Sequence, residues 1–490
     1  MCLGKEGGGC RLGEATVRIL LCVPRSPFDP KVKPADLALY PPLGLGYLAT
    51  YLRHAGHEVA LLDNSVRRYS VEPFKKAVAD FAPDLVGFTA YTVTVNAALA
   101  LAKCVKEVSG RIQVVLGGCH PTCLPKETLA HDQVDMVVVG EGEETLCEVA
   151  AALSSGGELD GIEGLWYKKD GAIRQNPSRS YIEDIDAIPL PSYDLMELGR
   201  YCQGATRRIA GRKLGTVITG RGCPYQCTFC SKEHLGPKAR LRSAANVVDE
   251  VEHLVRRHGI EEIMFVDDTF TLDRNRAMAI CALMVERGLK APWTCNTRAD
   301  DASDELYAVM AQAGCRSFLL GAEAGTQEML DSMKKGITLA QTENAVRLAK
   351  KHGIDTICSF VFGMPGDTAE KAAATVRFAR KLDPTFVSFT TACPLPGSEL
   401  FEWAVREGRL DPATADWGIF SFFSPAVPVI AMSALSRQDL IRINKAAHRA
   451  FYMRPQYIWR RLIRLRSFSG LVDTARAFFA NLGYAFTKTS

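Results

Sequence analysis

Short apolar runs alternate with longer amphipathic stretches along the first third of the chain. Apolar runs that are typical of buried strands lie at 17–23, 58–62, 85–89, 113–117 and 136–139. Stretches with helical periodicity lie between and after them, at 45–54, 71–81, 97–108, 126–131 and 144–153, of which 126–131 is the weakest. Strict alternation of this kind gives a parallel sheet with right-handed crossovers. The pattern predicts an α/β domain of the doubly wound, Rossmann-like class.

The same alternation resumes in the second half of the chain. Six further strand candidates lie at 215–220, 262–266, 291–296, 317–320, 356–362 and 385–391. Helical stretches separate them, for example at 246–258, 276–287, 303–313 and 339–352. Six units of strand and helix suit an open (β/α)6 partial barrel better than a closed barrel of eight.

Two further regions lack this alternation. The segment 184–194 carries Pro189 and Pro191 close together, which forbids a helix there and predicts an extended connection. The end of the chain is helical in pattern and basic. We therefore predict a first domain at 16–155, a linker at 156–208, a barrel at 209–425 and a helical C-terminal region at 426–490.

Composition narrows the class of protein. The chain has 490 residues, 47% of them hydrophobic, and a formal net charge of +4, which is too small to indicate a nucleic-acid partner. Its sixteen cysteines are scattered through apolar segments, a distribution that favours reduced thiols in a cytoplasmic enzyme over a secreted disulfide framework. No apolar run approaches the ~18 residues of a membrane span, and the run at 17–23 is too short for a signal peptide.

Three cysteines are concentrated directly after the first strand candidate of the barrel. Cys223, Cys227 and Cys230 have C-x3-C-x2-C spacing. Three thiolates can bind three irons of a 4Fe-4S cluster and leave the fourth iron open for a ligand. The alternative is a structural zinc site completed by His234, but zinc knuckles are normally built from two separated ligand pairs. The other thirteen cysteines do not repeat the spacing, so a second cluster is not expected.

The strand ends of the first domain carry small and polar residues. In doubly wound folds, ligands bind at the carboxyl ends of the strands. The residues predicted to contact a ligand there are Thr89, Gly117, Gly118, His120, Gly140 and Glu141. From the residues alone, nucleotide binding or simple turn formation would explain this set equally well.

The strand ends of the barrel concentrate charged and amide side chains. They include Asp267 and Asp268 after the second strand, Asn296 and Arg298 after the third, and Glu323 after the fourth. A zwitterionic ligand with a ribose would need such a ring of polar groups. Each residue taken singly could equally be a strand cap or part of a surface ion pair.

The cysteine spacing resembles that of the radical S-adenosylmethionine (SAM) superfamily. The segments 41–49, 117–121 and 140–143 are similar to the cobalamin-binding domain that precedes the radical domain in cobalamin-dependent members, and the similarity covers about 17–153. The resemblance implies that Glu323 and either Asp267 or Asp268 bind the methionine amino group or the ribose of SAM. It further implies that Arg298 binds the carboxylate and Phe229 the adenine.

One departure from the wider cobalamin-binding fold concerns the cobalt. The chain contains no Asp-x-His-x-x-Gly motif, so no histidine is marked as the lower axial ligand. His120 has different neighbours and is more easily explained as a hydrogen-bonding loop residue. We therefore expect cobalamin to bind base-off, with its lower face open or held by water.

The resemblance implies an enzyme that methylates an unactivated carbon of a small or hydrophobic molecule. Cobalamin would carry the methyl group, a 5′-deoxyadenosyl radical from SAM would abstract the hydrogen, and an external one-electron donor of flavodoxin or ferredoxin type would reduce the cluster. The alternatives are an oxidative cyclase similar to the anaerobic magnesium-protoporphyrin monomethyl ester cyclase, and a non-catalytic cobalamin sensor. The aromatic and arginine-rich helix at 449–464 predicts a packed lid, with peripheral membrane contact as the alternative.

Overall fold

The computed structural model describes residues 15–25, 39–202, 213–231, 235–420 and 430–463. Within this part of the chain, contacts divide the molecule into two compact units. The first is built mainly from Pro42–Glu197 together with the N-terminal strand, and the second mainly from residues 198 onward.

The first unit contains one seven-stranded sheet. Its strands are β1 (Arg18–Val23), β2 (Glu58–Asp63), β3 (Leu85–Thr89), β4 (Gln113–Gly117), β5 (Met136–Val138), β6 (Leu165–Lys169) and β7 (Ala172–Gln175). Their order is β2-β1-β3-β4-β5-β6-β7, and the first five are parallel. The five predicted strands are confirmed, and the order reverses between β1 and β3, which is where ligands bind in such sheets.

Helices cover the sheet of the first unit. They are α1 (Leu43–His54), α2 (Asn64–Arg67), α3 (Val71–Phe81), α4 (Val95–Val108), α5 (Cys119–Cys123), α6 (Pro125–Leu129) and α7 (Glu143–Ser155). The core joins Ile19, Leu21 and Val115 of the sheet to Leu52 of α1 and Val149 of α7. Buried, mostly apolar strands of this kind are typical of parallel sheets covered by helices.

Part of the predicted linker differs from the sequence expectation. Strands β6 and β7 form an antiparallel hairpin that continues the sheet beside β5, with Val137 opposite Trp166. Leu165 and Tyr167 point into the core, and Asp170-Gly171 forms the turn with φ of 52° and 74°. An Asp-Gly turn between alternating residues is a strong hairpin signal, so the sequence did contain the evidence for this element.

The second unit contains a six-stranded parallel sheet and a small ribbon. Its strands are β8 (Leu214–Val217), β9 (Gly220–Arg221), β10 (Arg240–Leu241), β11 (Glu262–Phe265), β12 (Trp293–Thr297), β13 (Cys315–Glu323), β14 (Asp355–Phe362) and β15 (Phe386–Thr391). The main sheet has the order β15-β14-β13-β12-β11-β8, and β9 pairs with β10. All six predicted strands are present, in the sequential order of an open barrel.

Helices follow the strands of the second unit. They are α8 (Ala244–His258), α9 (Arg274–Glu286), α10 (Asp304–Gln312), α11 (Gln327–Ser332), α12 (Leu339–Lys351), α13 (Ala369–Leu382), α14 (Glu399–Arg406), α15 (Arg437–Tyr452) and α16 (Pro455–Ile463). Helices α8 to α13 each begin after a Ser, Thr or Asp whose side chain accepts a hydrogen bond from the first turn. Such caps satisfy exposed N–H groups and fix where each helix begins.

The C-terminal helix α15 packs on the edge strand β15. The Tyr452 hydroxyl donates to the Val387 carbonyl at 2.6 Å, and Asn444 donates to the Phe389 carbonyl at 3.0 Å. These contacts support a packed role for α15, whereas Trp459 of α16 is 66% exposed, so membrane contact there stays a prediction. Among the described helices, none is long and apolar enough to cross a membrane.

Candidate active site

The three cysteines lie on one loop that leaves the first strand of the barrel. This cysteine loop, whose described residues are 222–231 and 235–239, is closed at its base by the pairing of β9 with β10. The Cys223 N–H donates to the Gly236 carbonyl at 3.3 Å, and the Cys230 N–H donates to the Cys227 carbonyl at 3.2 Å. All three thiols belong to half-buried residues. His234, the fourth ligand of the zinc alternative, lies outside the described residues.

Two arginines hold the base of the cysteine loop, the buried Arg242 and the half-buried Arg276. Arg242 donates to the Ile218 carbonyl at 2.8 Å and forms an ion pair with Glu250, which is fully buried. Arg276 donates to the Thr219 carbonyl at 2.9 Å. Removing one partner of a buried ion pair typically costs about 3–5 kcal/mol. The strand end and the loop that follows it are therefore rigidly supported.

Asp267 follows β11 and contacts Thr219, which lies between β8 and β9 just before the cysteine loop. Its Oδ1 accepts hydrogen bonds from the Thr219 N–H at 2.9 Å and the Thr219 hydroxyl at 2.8 Å. Its Oδ2 is buried and makes no hydrogen bond to any described residue. Burial raises the pKa of Asp267 to about 6, and the Arg276 guanidinium opposes part of that rise. One oxygen thus remains available to a ligand donor.

Glu323 ends β13 in a backbone conformation that is uncommon for a side chain other than glycine. Its φ is 60°, and the register with β14 shifts at this point. The carboxylate accepts a hydrogen bond from Lys335 Nζ at 2.8 Å, and both side chains are buried. The Ser359 hydroxyl lies 3.5 Å from the other carboxylate oxygen. A Cβ at Gly321 would overlap both charged groups, so a larger residue at this position would displace the pair.

Arg298 follows β12 and contacts the cysteine loop. Its guanidinium carbon lies 3.5 Å from the centroid of the Tyr225 ring, between Cys223 and Cys227 in the sequence. Nε and Nη2 donate to the two oxygens of Asp300, each at 3.0 Å, and Nη2 also donates to the Lys335 carbonyl at 2.8 Å. Arg298 is therefore buried and already paired, and its predicted role toward a ligand carboxylate stays a prediction.

Thr228 and Phe229 form the turn between the last two cysteines. The Thr228 N–H donates to the Met333 carbonyl at 3.0 Å, and its carbonyl accepts from the Leu400 N–H at 2.8 Å. The Thr228 hydroxyl is buried and has no hydrogen-bond partner within the described ranges. Phe229 is half-buried, and its contact with adenine stays a prediction.

These residues fit a cluster and a SAM molecule. Three thiols are available on one supported loop. The buried oxygens Asp267 Oδ2 and Thr228 Oγ1 lie beside the loop or on it, and neither has a hydrogen-bond partner among the residues that the structure describes. Buried polar atoms of this kind can accept a hydrogen bond from a bound ligand or an ordered water. Within the described residues, no three His, Cys, Asp or Glu side chains converge on one metal position. A four-iron cluster does not require such convergence, because each thiolate binds a different iron.

Glycines in the first unit fix a close approach between neighbouring strand ends. The Ala90 N–H donates to the Gly117 carbonyl at 2.8 Å. Gly118 has a φ of 98°, and a Cβ there would lie 3.0 Å from the Thr89 hydroxyl. Both the positive φ and the narrow space favour glycine at this position.

His120 does not lie at the surface of this edge. Its side chain is fully buried, with Nδ1 3.3 Å from the Thr92 hydroxyl and Nε2 3.3 Å from the Glu127 carboxylate. Both ring nitrogens are thus already engaged within the protein. The geometry supports the hydrogen-bonding role that the sequence favours for His120 over cobalt ligation.

Gly140 and Glu141 differ in what they offer a ligand. Gly140 has a φ of 80°, and a Cβ there would meet no other atom within 4 Å, so its backbone borders open space. Glu141 is buried, and its carboxylate accepts a hydrogen bond from the Ile182 N–H at 2.8 Å. Glu141 therefore anchors the segment after β7, a role that sequence spacing does not reveal.

Tyr91 is a further candidate at the same edge. The residue is 62% exposed, although the adjacent Ala90 and Thr92 are buried. Its N–H donates to the Thr94 hydroxyl at 2.9 Å, and its carbonyl accepts from the Thr94 N–H at 2.9 Å. An exposed aromatic residue after β3, at the same edge of the sheet as the open backbone of Gly140, fits a large flat cofactor such as a corrin.

Comparison with known proteins agrees with this geometry. The radical SAM superfamily model matches residues 217–379, and the B12 binding domain model matches residues 37–150. The uncharacterized methyltransferase PH0819 of Pyrococcus horikoshii is 36% identical over 90% of this chain and 94% of its own length. The anaerobic magnesium-protoporphyrin IX monomethyl ester cyclase of Rubrivivax gelatinosus is 29% identical over 86% of this chain and 75% of its own length.

A solved structure has the same fold. The radical SAM methyltransferase TsrM from Kitasatospora setae, solved with cobalamin and a 4Fe-4S cluster, superposes with a TM-score of 0.69 at 24% identity. The match covers 88% of this chain and 91% of TsrM. With a cysteine loop on an open barrel and a doubly wound domain before it, the chain belongs to the cobalamin-dependent radical SAM enzymes, whose cofactors are a 4Fe-4S cluster, SAM and cobalamin.

Proposed function

We propose that this enzyme transfers the methyl group of SAM to an unactivated carbon of a small or hydrophobic molecule. The observation that carries the proposal is the buried strand-end site beside the cysteine loop. It contains the Glu323–Lys335 pair and the Asp267 Oδ2, which has no hydrogen bond from the described part of the chain. The 36% identity to a methyltransferase over nearly its whole length supports methyl transfer as the outcome.

When bound, the cluster supplies the electron that cleaves SAM, and cobalamin supplies the carrier for the methyl group. Cys223, Cys227 and Cys230 hold the cluster and leave one iron open. Glu323 accepts hydrogen bonds from the amino or ribose groups of SAM, and Asp267 Oδ2 accepts one more. Lys335 keeps the Glu323 carboxylate fixed in a buried setting, where its orientation costs no rearrangement on binding.

The first unit holds cobalamin at the carboxyl edge of its sheet. Backbone at Gly140 borders open space and allows the corrin rim to approach closely, and Gly117, Gly118 and the hydroxyl of Thr89 lie at the same edge. Tyr91 offers an apolar ring face. His120 stays in its internal hydrogen bonds, so the lower face of the cofactor receives no histidine from this loop.

Two partners complete the proposal. The substrate is a small molecule whose reacting carbon lacks an acidic proton, because only such a carbon needs a radical for hydrogen abstraction. The electron comes from an external one-electron donor of flavodoxin or ferredoxin type. Membrane contact by α16 is secondary and rests on the exposed Trp459 alone.

The products of SAM test the proposal. Enzyme reconstituted anaerobically with both cofactors, reductant and a metabolite extract of cells that lack the gene, as the source of substrate, should form S-adenosylhomocysteine and 5′-deoxyadenosine in similar amounts, measured by liquid chromatography and mass spectrometry. Glu323→Gln keeps the side-chain volume but removes the charge, so it should lower deoxyadenosine formation at least tenfold, a loss of about 1.4 kcal/mol in the transition state. Cobalamin content should not change, because Glu323 lies in the other unit.

A matched control separates the site from general stability. Glu343→Gln alters an exposed carboxylate of α12 that pairs with Lys381, and it should leave both products at wild-type levels. Equal loss of deoxyadenosine and cobalamin in Glu323→Gln would show that Glu323 is structural and would remove it from the proposed SAM site.

Oxidative cyclisation is the second candidate. The 29% identity to a magnesium-protoporphyrin monomethyl ester cyclase over 86% of the chain favours it. Cyclisation would need the radical and no methyl transfer. Deoxyadenosine without S-adenosylhomocysteine would therefore favour the cyclase and contradict methyl transfer.

A further inference from the structure

Arg298 makes the closest cation–ring contact that the structure describes in the cysteine loop. Its guanidinium carbon is 3.5 Å from the Tyr225 centroid, well inside the ~6 Å range of cation–π attraction. Tyr225 is in the three-residue segment that separates Cys223 from Cys227. The contact therefore fixes the stretch of loop that sets the positions of two thiols.

The guanidinium itself is fixed by its other partners. Asp300 receives two parallel hydrogen bonds at 3.0 Å from Nε and Nη2, a geometry that only a planar fork can make. The Lys335 carbonyl accepts a third, at 2.8 Å, and only 4% of Arg298 is exposed. An arginine held in this way keeps a fixed position against the Tyr225 ring.

The segment 333–335 connects Arg298 to the rest of the site. The Met333 carbonyl accepts from the Thr228 N–H of the cysteine loop, and the Lys335 ammonium binds Glu323. The loop is thus tied to this segment at Thr228 directly and at Tyr225 through Arg298. Both ties lie within the second unit.

We propose that Arg298 is a positioning residue of the cysteine loop, acting through Tyr225, and that its buried positive charge raises the reduction potential of the cluster. The proposal rests on the cluster assigned above. The Asp300 carboxylate, bound to Nε and Nη2, offsets part of this charge. Relative to an uncharged side chain at this position, the guanidinium still stabilises the reduced cluster, which carries one more negative charge than the oxidised form, and burial weakens the solvent screening of that attraction.

The test measures the midpoint potential of the cluster in the reconstituted full-length enzyme without SAM or substrate. Arg298→Met should bind wild-type amounts of iron and sulfide at saturation. Its cluster should nevertheless accept its electron at a more negative potential, with altered g values in the electron paramagnetic resonance spectrum.

Arg298→Lys keeps the charge but not the planar fork of donors, and it should restore part of the potential. Arg406→Met, at an exposed arginine of α14, is the control and should match wild type.

Variants of Tyr225 provide an independent test if Arg298→Met does not fold. Tyr225→Phe keeps a ring under the guanidinium and should behave as wild type, whereas Tyr225→Leu should shift the potential in the same direction as Arg298→Met. An iron-loaded Arg298→Met enzyme with the wild-type potential and g values would overturn the proposal, as would equal potentials in the Phe and Leu variants. Absence of a cluster in the wild type would instead contradict the proposed function itself.

Discussion

Asp267 and Glu323 are two buried carboxylates with different surroundings. Glu323 has a lysine partner at 2.8 Å, whereas Asp267 relies on Thr219 for one oxygen and has no hydrogen bond from the described residues to the other. Burial without a direct cation raises the pKa of Asp267 to about 6. The charged form of Asp267 is thus disfavoured in the folded protein, which is a stability penalty held at the proposed site.

This penalty predicts that the stability gained by the variant Asp267→Asn, relative to wild type, depends on pH. The pKa of Asp267 is higher in the folded protein than in the unfolded chain, where it is near 4. Its contribution to the free energy of unfolding is therefore complete below about pH 4 and is lost as the pH rises through about 6. Asn cannot ionise, so the variant should gain up to about 3 kcal/mol relative to wild type between pH 4 and pH 7, from about 1.4 kcal/mol per pKa unit. Thermal unfolding curves at both pH values measure the difference. Asp331→Asn, at an exposed carboxylate of α11, should show no such gain, and a parallel gain there would contradict the assignment.

His120 gives a spectroscopic prediction. Because both of its ring nitrogens are engaged with Thr92 and Glu127, bound cob(II)alamin should lack nitrogen superhyperfine splitting from the protein in its electron paramagnetic resonance spectrum. His120→Gln, which can keep one of these hydrogen bonds, should leave the spectrum unchanged. Nitrogen splitting that disappears in His120→Gln would show that the histidine ligates cobalt.

The sequence indicates which residues stand at strand ends but not what they pair with. Cys223, Cys227 and Cys230 are recognisable because their ligand function depends on spacing within one loop. Glu323 and Asp267 are found at the predicted strand ends, yet their partners Lys335 and Thr219 lie 12 and 48 residues away in the chain. Pairing across such separations depends on tertiary structure, so it could not be predicted from local pattern.

At the scale of elements, the strands were the most predictable feature. Parallel strands buried on both faces give continuous apolar runs, such as 85–89 and 356–362, that differ clearly from the amphipathic helices between them. The sequence pattern does not predict the hairpin of β6 and β7, because its strands are short and half-exposed and because nearby prolines indicate an extended linker. The structure also has a short helix, α5, where the pattern predicts a loop.

Helix α1 offers a matched pair of glycines for an element-scale prediction. A Cβ at Gly46 would overlap the Met196 side chain and crowd Pro191, whereas a Cβ at Gly44 would meet nothing within 4 Å. Gly46→Ala should therefore destabilise the first unit by about 1–3 kcal/mol through overpacking. Gly44→Ala should be neutral or stabilise the helix by up to about 1 kcal/mol. Unfolding followed by circular dichroism measures both, and equal effects would show that the approach of residues 191–196 to α1 is not close.

At the scale of the whole molecule, one chain carries two cofactor-binding units. The first has the sheet order and open strand ends of a domain that binds a large flat cofactor, and the second has the cysteine loop and polar strand ends of a radical SAM barrel. The succession of strands and helices predicted both folds. The substrate is not encoded in any local pattern, because its recognition depends on side chains that tertiary structure brings together.

The fate of the SAM methyl group tests the central claim most directly. SAM with a deuterated methyl group is supplied to the anaerobically reconstituted enzyme, with reductant and a metabolite extract of cells that lack the gene. We expect a product that has gained the intact deuterated methyl group, seen by mass spectrometry, together with similar amounts of S-adenosylhomocysteine and 5′-deoxyadenosine. Deoxyadenosine without S-adenosylhomocysteine, and no label in any product, would contradict methyl transfer.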